Sequence, residues 1–188
     1  MKLIGIGGTN GSGKDTLSQI LADDYGWLFV SASEDLLIPE LKKRGGGIER
    51  DNMRSLSAEW RRDFGLGAII DKGLEKFDPK KYKGLVISSL RNYGEADRVH
   101  ELGGKVVWTD ADPKVRYDRI FSRGQGDKDK KTFEEFLAEE QAEKDHAGDE
   151  ATLNWQGVKD RADIFISNDS NDIADFKAAV QKALNGLI

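Results

Sequence analysis

Leu3-Ile4-Gly5-Ile6-Gly7-Gly8-Thr9-Asn10-Gly11-Ser12-Gly13-Lys14-Asp15-Thr16 begins as a short apolar run and continues as a glycine-rich turn ending in a lysine. Leu3–Gly7 reads as a buried strand, and Leu17, Ile20 and Leu21 mark one face of the helix that follows, at i, i+3 and i+4. Between them, Gly8–Lys14 fits G-x-x-x-x-G-K in the strand-to-helix setting that gives this pattern its meaning. Glycines let backbone wrap closely round an anion with N–H groups turned inward, and the helix start adds its positive dipole end. Lys14 would place an ammonium on β- and γ-phosphates. The candidate nucleotide-binding residues here are Gly8, Asn10, Gly11, Ser12, Gly13, Lys14, Asp15 and Thr16.

One position departs from the pattern. The residue after the lysine is normally Ser or Thr, whose hydroxyl ligates Mg²⁺. Here it is Asp15, and the hydroxyl comes next, at Thr16. A carboxylate ligates Mg²⁺ directly or through water, although it also brings negative charge beside the phosphates. Asp15 is assigned to the metal and Thr16 to the α-phosphate; the alternative for Asp15 is simple electrostatic service to the helix N-terminus.

Outward from this loop, short apolar runs alternate with amphipathic stretches. Trp27–Ser31, Leu85–Ser88, Lys105–Thr109 and Asp163–Ser167 read as further strands. Helical spacing predicts helices over Leu36 to Leu41, over Met53 to Phe77 with a break near Gly65 and Gly67, over Glu95–Leu102, through Val115, Arg119 and Phe121, from Phe133, and through Ile173, Phe176, Val180 and Leu184. Such alternation predicts an α/β fold, a mostly parallel sheet with helices on both faces. With 188 residues, the chain is expected to form one domain, and 38% hydrophobic residues in periodic runs argue against disorder. The absence of Cys excludes disulfides, thiolate zinc sites and a cysteine nucleophile, and two His make imidazole-based metal sites and triads improbable. A net charge of -5 argues against a general nucleic-acid binder. No apolar run approaches the ~20 residues of a membrane span, and the first residues are too soon broken by glycine for a signal peptide. A soluble cytoplasmic protein is expected.

Ligands of such sheets bind beyond the carboxyl ends of the strands, so the residues there come next. Asp35, after the second strand, is placed to take a proton from an acceptor hydroxyl, or to orient a sugar or metal; capping of the next helix is the competing role for Glu34 and Asp35. After the third strand, Ser88-Ser89 carry no acid, where many proteins with this loop hold Mg²⁺ through a carboxylate, and Arg91 can fork onto a phosphate. Arg54 and Arg61 lie seven residues apart on one predicted helix face and could grip an anionic acceptor, while Arg62 points elsewhere. Arg116, Arg119 and Arg123 form a stripe at i, i+3 and i+7 leading to Gly124–Lys131, a segment without apolar residues that is expected to be an exposed, mobile loop. Three arginines there suit a lid that closes over phosphates and neutralises transition-state charge. Asn168 and Asp169 follow the fifth strand and could place a loop near the nucleotide base; a plain strand-to-helix turn is the competing reading. The four Trp are read as packing residues, with Trp60 bordering the acceptor pocket as the less favoured role.

Together these motifs resemble the P-loop kinases of small metabolites, namely nucleoside monophosphate kinases and dephospho-CoA kinases, over nearly the whole chain. Gly8–Thr16 matches their phosphate loop, Asp35-Leu36-Leu37 looks like the Asp-Leu-Leu after strand two, Leu90-Arg91 looks like the strand-three arginine, and Ala162–Asp169 looks like the A-D-x-x-I-x-N-D segment of dephospho-CoA kinase-like proteins. The resemblance implies a three-layer fold on a five-stranded parallel sheet, with an acceptor-binding helical insert at about 34–78 and a lid at about 116–145. Two positions differ from those families: Ile38 stands where the first usually has an arginine, and Ser33 where the second has an aspartate. The expected activity is transfer of the γ-phosphoryl group of ATP, with Mg²⁺, to a small anionic acceptor, foremost a (deoxy)nucleoside monophosphate. Lys14, Asp35, Arg119 and Arg123 are the expected catalytic residues, and Asp35, Arg54, Arg61 and Arg91 the expected acceptor-binding set. The alternatives are phosphorylation of a ribose hydroxyl with Asp35 as base, and a nucleotide-binding switch. A monomer or homodimer is expected.

Overall fold

The computed structural model describes residues 1–123, 132–144 and 148–188, with the side chains of Arg123, Ala142, Glu143 and Lys144 left out. The expected loop Gly124–Lys131 therefore lies outside the described residues. Five strands, β1 (Lys2–Gly8), β2 (Leu28–Ser31), β3 (Gly84–Ser88), β4 (Lys105–Asp110) and β5 (Ile164–Ser167), form one sheet in the order β2-β3-β1-β4-β5. Every pairing is parallel. β1 is the centre, and the chain leaves it toward β3 on one side and β4 on the other. That reversal of order opens the crevice into which the glycine-rich loop projects.

Helices cover both faces. Helix α1 (Lys14–Tyr25) and α9 (Ile173–Ala183) pack Leu17, Ile20, Leu21, Phe176, Val180 and Leu184 on the face that carries Ile4, Ile6, Val86 and Val107. The opposite face, with Leu3, Leu85, Ile87 and Val106, is covered by Ile69 and Ile70 of α4 (Ala68–Leu74), Val99 of α5 (Tyr93–Glu101) and Val158 of α8 (Trp155–Asp160). Alternate residues of β1, β3 and β4 thus enter alternate cores, which is why these strands read as continuous apolar runs. On β1 the second face is Leu3, Gly5 and Gly7. A Cβ at Gly5 would stand 2.8 Å from both Leu90 and Val99, and one at Gly7 would stand 2.7 Å from Val158. The glycines let those side chains lie flat on the central strand.

Between β2 and β3 run a π-helical turn (Ala32–Leu37), α2 (Ile38–Lys43), α3 (Arg50–Phe64) and α4. After β4 come α6 (Pro113–Arg123) and α7 (Phe133–Lys144). Three elements differ from the sequence reading. The helix expected from Leu36 is preceded by the π-helical turn, whose start is fixed by Ser31, accepting at Oγ from the Glu34 N–H. Helix α3 begins at Arg50, three residues earlier than Met53. Helix α8 was not expected; its six residues carry too little periodicity, and it is set by Asn154 Oδ1 accepting from the Gly157 N–H and by Trp155 stacking on Trp108, ring centroids 5.5 Å apart. No helix among the described residues is long and apolar enough to cross a membrane.

At the end of the sheet opposite the loop, Asp163 ties β5 to β4. Its carboxylate accepts from the Val106 N–H (2.8 Å), contacts His100 Nε2 (2.9 Å) and accepts from Lys105 Nζ (3.0 Å). Burial alone would raise its pKa, but these three contacts outweigh burial and hold it at about 2. A depressed carboxyl stabilises the fold above its unfolded pKa and loses that contribution as pH falls through the folded one. Asp163→Asn is expected to lower unfolding free energy at pH 7 by about 1–2 kcal/mol after screening. Urea titrations should show the gap between wild type and variant narrowing from about pH 4 to pH 2.

Candidate active site

The loop after β1 is held open from behind. Gly11 and Gly13 have φ of 80° and 94°, a region that strains any side chain. A Cβ at Gly11 would also stand 2.7 Å from the Arg116 carbonyl. Thr9 Oγ1 donates to Asp110 (2.7 Å), and the Ser12 and Thr109 hydroxyls share a bond (2.9 Å), so β4 anchors the loop. Three loop carbonyls are taken by side chains: Asn10 O by Arg116 (3.5 Å), Gly11 O by Arg119 (3.3 Å) and Ser12 O by Asn168 Nδ2 (2.9 Å). In a trans peptide the next N–H points opposite to the carbonyl, so the amides of Gly11, Ser12 and Gly13 turn the other way. On that side the Ser12 N–H (3.3 Å) and Lys14 Nζ (3.2 Å) converge on Thr9 O. An ammonium and a backbone donor meeting on one acceptor are the arrangement an anion would take over.

Gly11 borders two cavities, one on either side of it. The smaller, about 290 Å³, is lined by Gly13, Thr16, Arg119, Asn168, Ile173 and Phe176. Its apolar floor and polar rim suit a nucleoside. Arg119 also donates to Ser170 O (2.7 Å) and Asn171 Oδ1 (3.1 Å), which fixes it at this mouth. Asn168 lines the same cavity, although its amide already braces Ser12 O.

The larger cavity, about 340 Å³, is lined by Lys14, Asp15, Ser89, Arg91, Arg50, Arg54 and Arg61, among others. It lies between the loop and α3. Asp15 faces it and accepts at Oδ1 from Ser88 Oγ at 2.6 Å. Arg91 comes from the turn after β3 and donates to Asn10 Oδ1 (3.0 Å). Arg50 was missed by the sequence reading because the helix was started at Met53; its i, i+4 spacing to Arg54 was the available signal.

Two expected acceptor contacts change meaning. Arg61 lines the cavity, but it is buried and ion-paired with buried Glu95, Nη2 to Oε1 at 2.6 Å, and it donates to Ser57 Oγ and Ala151 O as well. Its charge is neutralised and it braces the wall. Glu95, read only as a helix residue, accepts through Oε2 from the Arg91 N–H (2.7 Å) and the Asn92 N–H (3.1 Å), capping α5. Asp35 is not among the cavity-lining residues; its exposed carboxylate accepts from the Ser31 N–H at 2.7 Å. Capping of the turn, rather than proximity to an acceptor, describes its position.

The arginine stripe also divides. Arg119 stands at the smaller cavity. Arg116 is buried, ion-paired with Glu140 of α7 and donating to Ala111 O (2.8 Å), so it joins α6, α7 and the loop from beneath. The Arg123 side chain lies outside the described residues. Trp60 is a buried core residue under Lys72 and does not line the cavity.

The profile of a family described as AAA domain matches residues 4–145. A UPF0200 protein of Methanococcus maripaludis strain S2 is 26% identical over 195 residues, covering 98% of this chain and 99% of its own. Shikimate kinase from Bacteroides thetaiotaomicron superposes with a TM-score of 0.59 at 16% identity, over 96% of this chain and 94% of that one. The protein TT1252 from Thermus thermophilus does so at 0.57 and 18%, over 96% and 94%. At such identities the superpositions show a shared P-loop kinase fold and nothing of the substrate.

The buried Arg61–Glu95 pair yields a stability test. Glu95→Ala leaves a buried guanidinium unpaired and uncaps α5, and is expected to cost about 3–5 kcal/mol. Joint Arg61→Met and Glu95→Leu substitution should recover most of that loss in denaturant melts. Equal destabilisation by the single and double changes would contradict the pairing.

Proposed function

The chain belongs to the AAA domain family of P-loop proteins, and on that footing we propose that it is an ATP-dependent phosphotransferase whose acceptor is a small anion, foremost a (deoxy)nucleoside monophosphate. The observation that carries this reading is the 340 Å³ cavity opening directly onto Lys14 and bordered by Arg50, Arg54 and Arg91. A hydrolase needs room only for water beside the terminal phosphate. A cavity of this size, rimmed by guanidiniums, suits a second phosphorylated molecule.

In this reading the donor nucleotide lies across the loop. Its nucleoside occupies the cavity with Arg119 and Phe176, Thr16 meets the α-phosphate, and Lys14 with the loop amides holds the β- and γ-phosphates. The acceptor's phosphate oxygen, steered by Arg50, Arg54 and Arg91, attacks the γ-phosphorus. The bond from that phosphorus to the bridging oxygen breaks, and ADP leaves with the electron pair. The protein's part is alignment and charge neutralisation. Mg²⁺ fits the oxygen donors at Asp15, and when bound it supplies neutralisation of charge on the phosphate oxygens. A phosphate acceptor is already ionised and needs no base, which agrees with Asp35 being engaged by the Ser31 N–H. Arg123 remains a proposed lid contact to the transferring group.

Lys14→Ala is expected to cut turnover by roughly a hundredfold or more while leaving the thermal melt nearly unchanged. Arg54→Ala should raise acceptor KM more than donor KM. Asp35→Asn should leave turnover within about threefold; a loss of the size general bases contribute, about a hundredfold, would favour a hydroxyl acceptor instead. Assays across nucleoside monophosphates and dephospho-CoA, read by ADP release and mass spectrometry, check all three. Release of ADP and free phosphate alone, with every acceptor, would favour a nucleotide-driven switch.

A further inference from the structure

In P-loop proteins Mg²⁺ is commonly held by two side chains on different elements: a hydroxyl from the loop, just after the lysine, and a carboxylate from a strand. Here the position after Lys14 carries the carboxylate, Asp15, and the last residue of β3 carries the hydroxyl, Ser88. The two touch, Ser88 Oγ donating to Asp15 Oδ1 at 2.6 Å. We propose that Asp15 and Ser88 are a Mg²⁺-holding pair with its two chemical roles exchanged between loop and strand, Asp15 as the ligand and Ser88 as the positioning residue. This rests on the nucleotide-binding reading above.

Three observations carry the assignment. Ser88 is fully buried and hydrogen-bond-registered against β1 opposite Ile6, so its hydroxyl has a fixed origin. Its neighbour Ser89 has φ of 73°, the one left-handed non-glycine among the described residues, and lines the larger cavity. Backbone held in that region marks a turn fixed by its surroundings, and here it sets two hydroxyls 3.5 Å apart beside Asp15. Asp15 itself faces that cavity next to Lys14. One carboxylate suffices for Mg²⁺, which keeps several waters and takes one or two carboxylates with the substrate's phosphates. Ser88 occupies Oδ1, and Oδ2 is the oxygen that would meet the ion or its water. The exchange conserves one carboxylate and one hydroxyl, and so conserves the charge seen by the phosphates.

The test compares ATP binding by calorimetry in excess EDTA and in Mg²⁺, together with Mn²⁺ electron paramagnetic resonance in the presence of ADP. It uses wild type, Asp15→Ala, Ser88→Ala and the exchanged Asp15→Ser/Ser88→Asp protein, each checked for folding by circular dichroism. Mg²⁺ should tighten wild-type ATP binding about tenfold or more. Asp15→Ala should abolish that enhancement and the bound Mn²⁺ signal while keeping metal-free ATP affinity. Ser88→Ala should weaken the enhancement about tenfold, as loss of a ligand's supporting partner does, and the exchanged protein should restore it. A full enhancement in Asp15→Ala or Ser88→Ala overturns the pair, and so does a folded exchanged protein that behaves as Asp15→Ala. If the exchanged protein does not fold, Ser88→Ala decides. Wild type that binds ATP without any metal enhancement overturns the pair alone; wild type that binds no ATP under either condition overturns the nucleotide reading itself.

Discussion

The site depends on three side chains that pull on three peptide carbonyls. Arg116, Arg119 and Asn168 draw the oxygens of Asn10, Gly11 and Ser12 to one side of the loop, and the planarity of the peptide does the rest. Inward N–H groups without an anion are costly to hold, because each donor prefers a partner. Here the cost is offset by a β4 anchor through Thr9 and Ser12 and by Lys14 folded onto Thr9 O. The loop is thus preorganised, and a polyphosphate entering it would displace internal contacts instead of having to assemble the donors.

Those three side chains come from distant parts of the chain. Arg116 and Arg119 lie on α6, and Asn168 follows β5. Arg116 is further tied through Glu140 to α7. The geometry of the phosphate loop is therefore linked to the two helices after β4, and a shift of α6 would be felt at the loop carbonyls. This gives the arginine stripe a different weight from the one its spacing suggested. One member supports the loop from beneath, and another stands at the mouth of the nucleoside cavity.

Most of the architecture was legible from local pattern. Five apolar runs became five parallel strands, of which β1, β3 and β4 are buried on both faces, and the break at Gly65 and Gly67 became the gap between α3 and α4. The glycine-rich loop was legible because its chemistry is local: spacing and residue type alone determine it. The cavity opposite was less so, since charge on a helix face does not reveal its partner. Arg54 and Arg61 look alike in sequence, yet Arg61 is buried against Glu95, thirty-four positions away, whereas Arg54 is exposed and pairs with Asp51 on its own helix. The two roles open to Asp35 in sequence are weighted by a local contact, because its carboxylate accepts from a backbone N–H four residues back. Helix α8 was invisible because a tryptophan stack and one asparagine cap define it, neither of which is periodic.

Glu95 serves Arg61 with one oxygen and the start of α5 with the other. Neither duty tolerates a lone change: a neutral residue strands the guanidinium, and a shorter acid cannot span both. Relatives that alter the shape of this wall should therefore alter both positions together. Change in the lining of the larger cavity would then proceed more readily at Arg50 and Arg54, whose surroundings are open to solvent, than at the locked pair behind them.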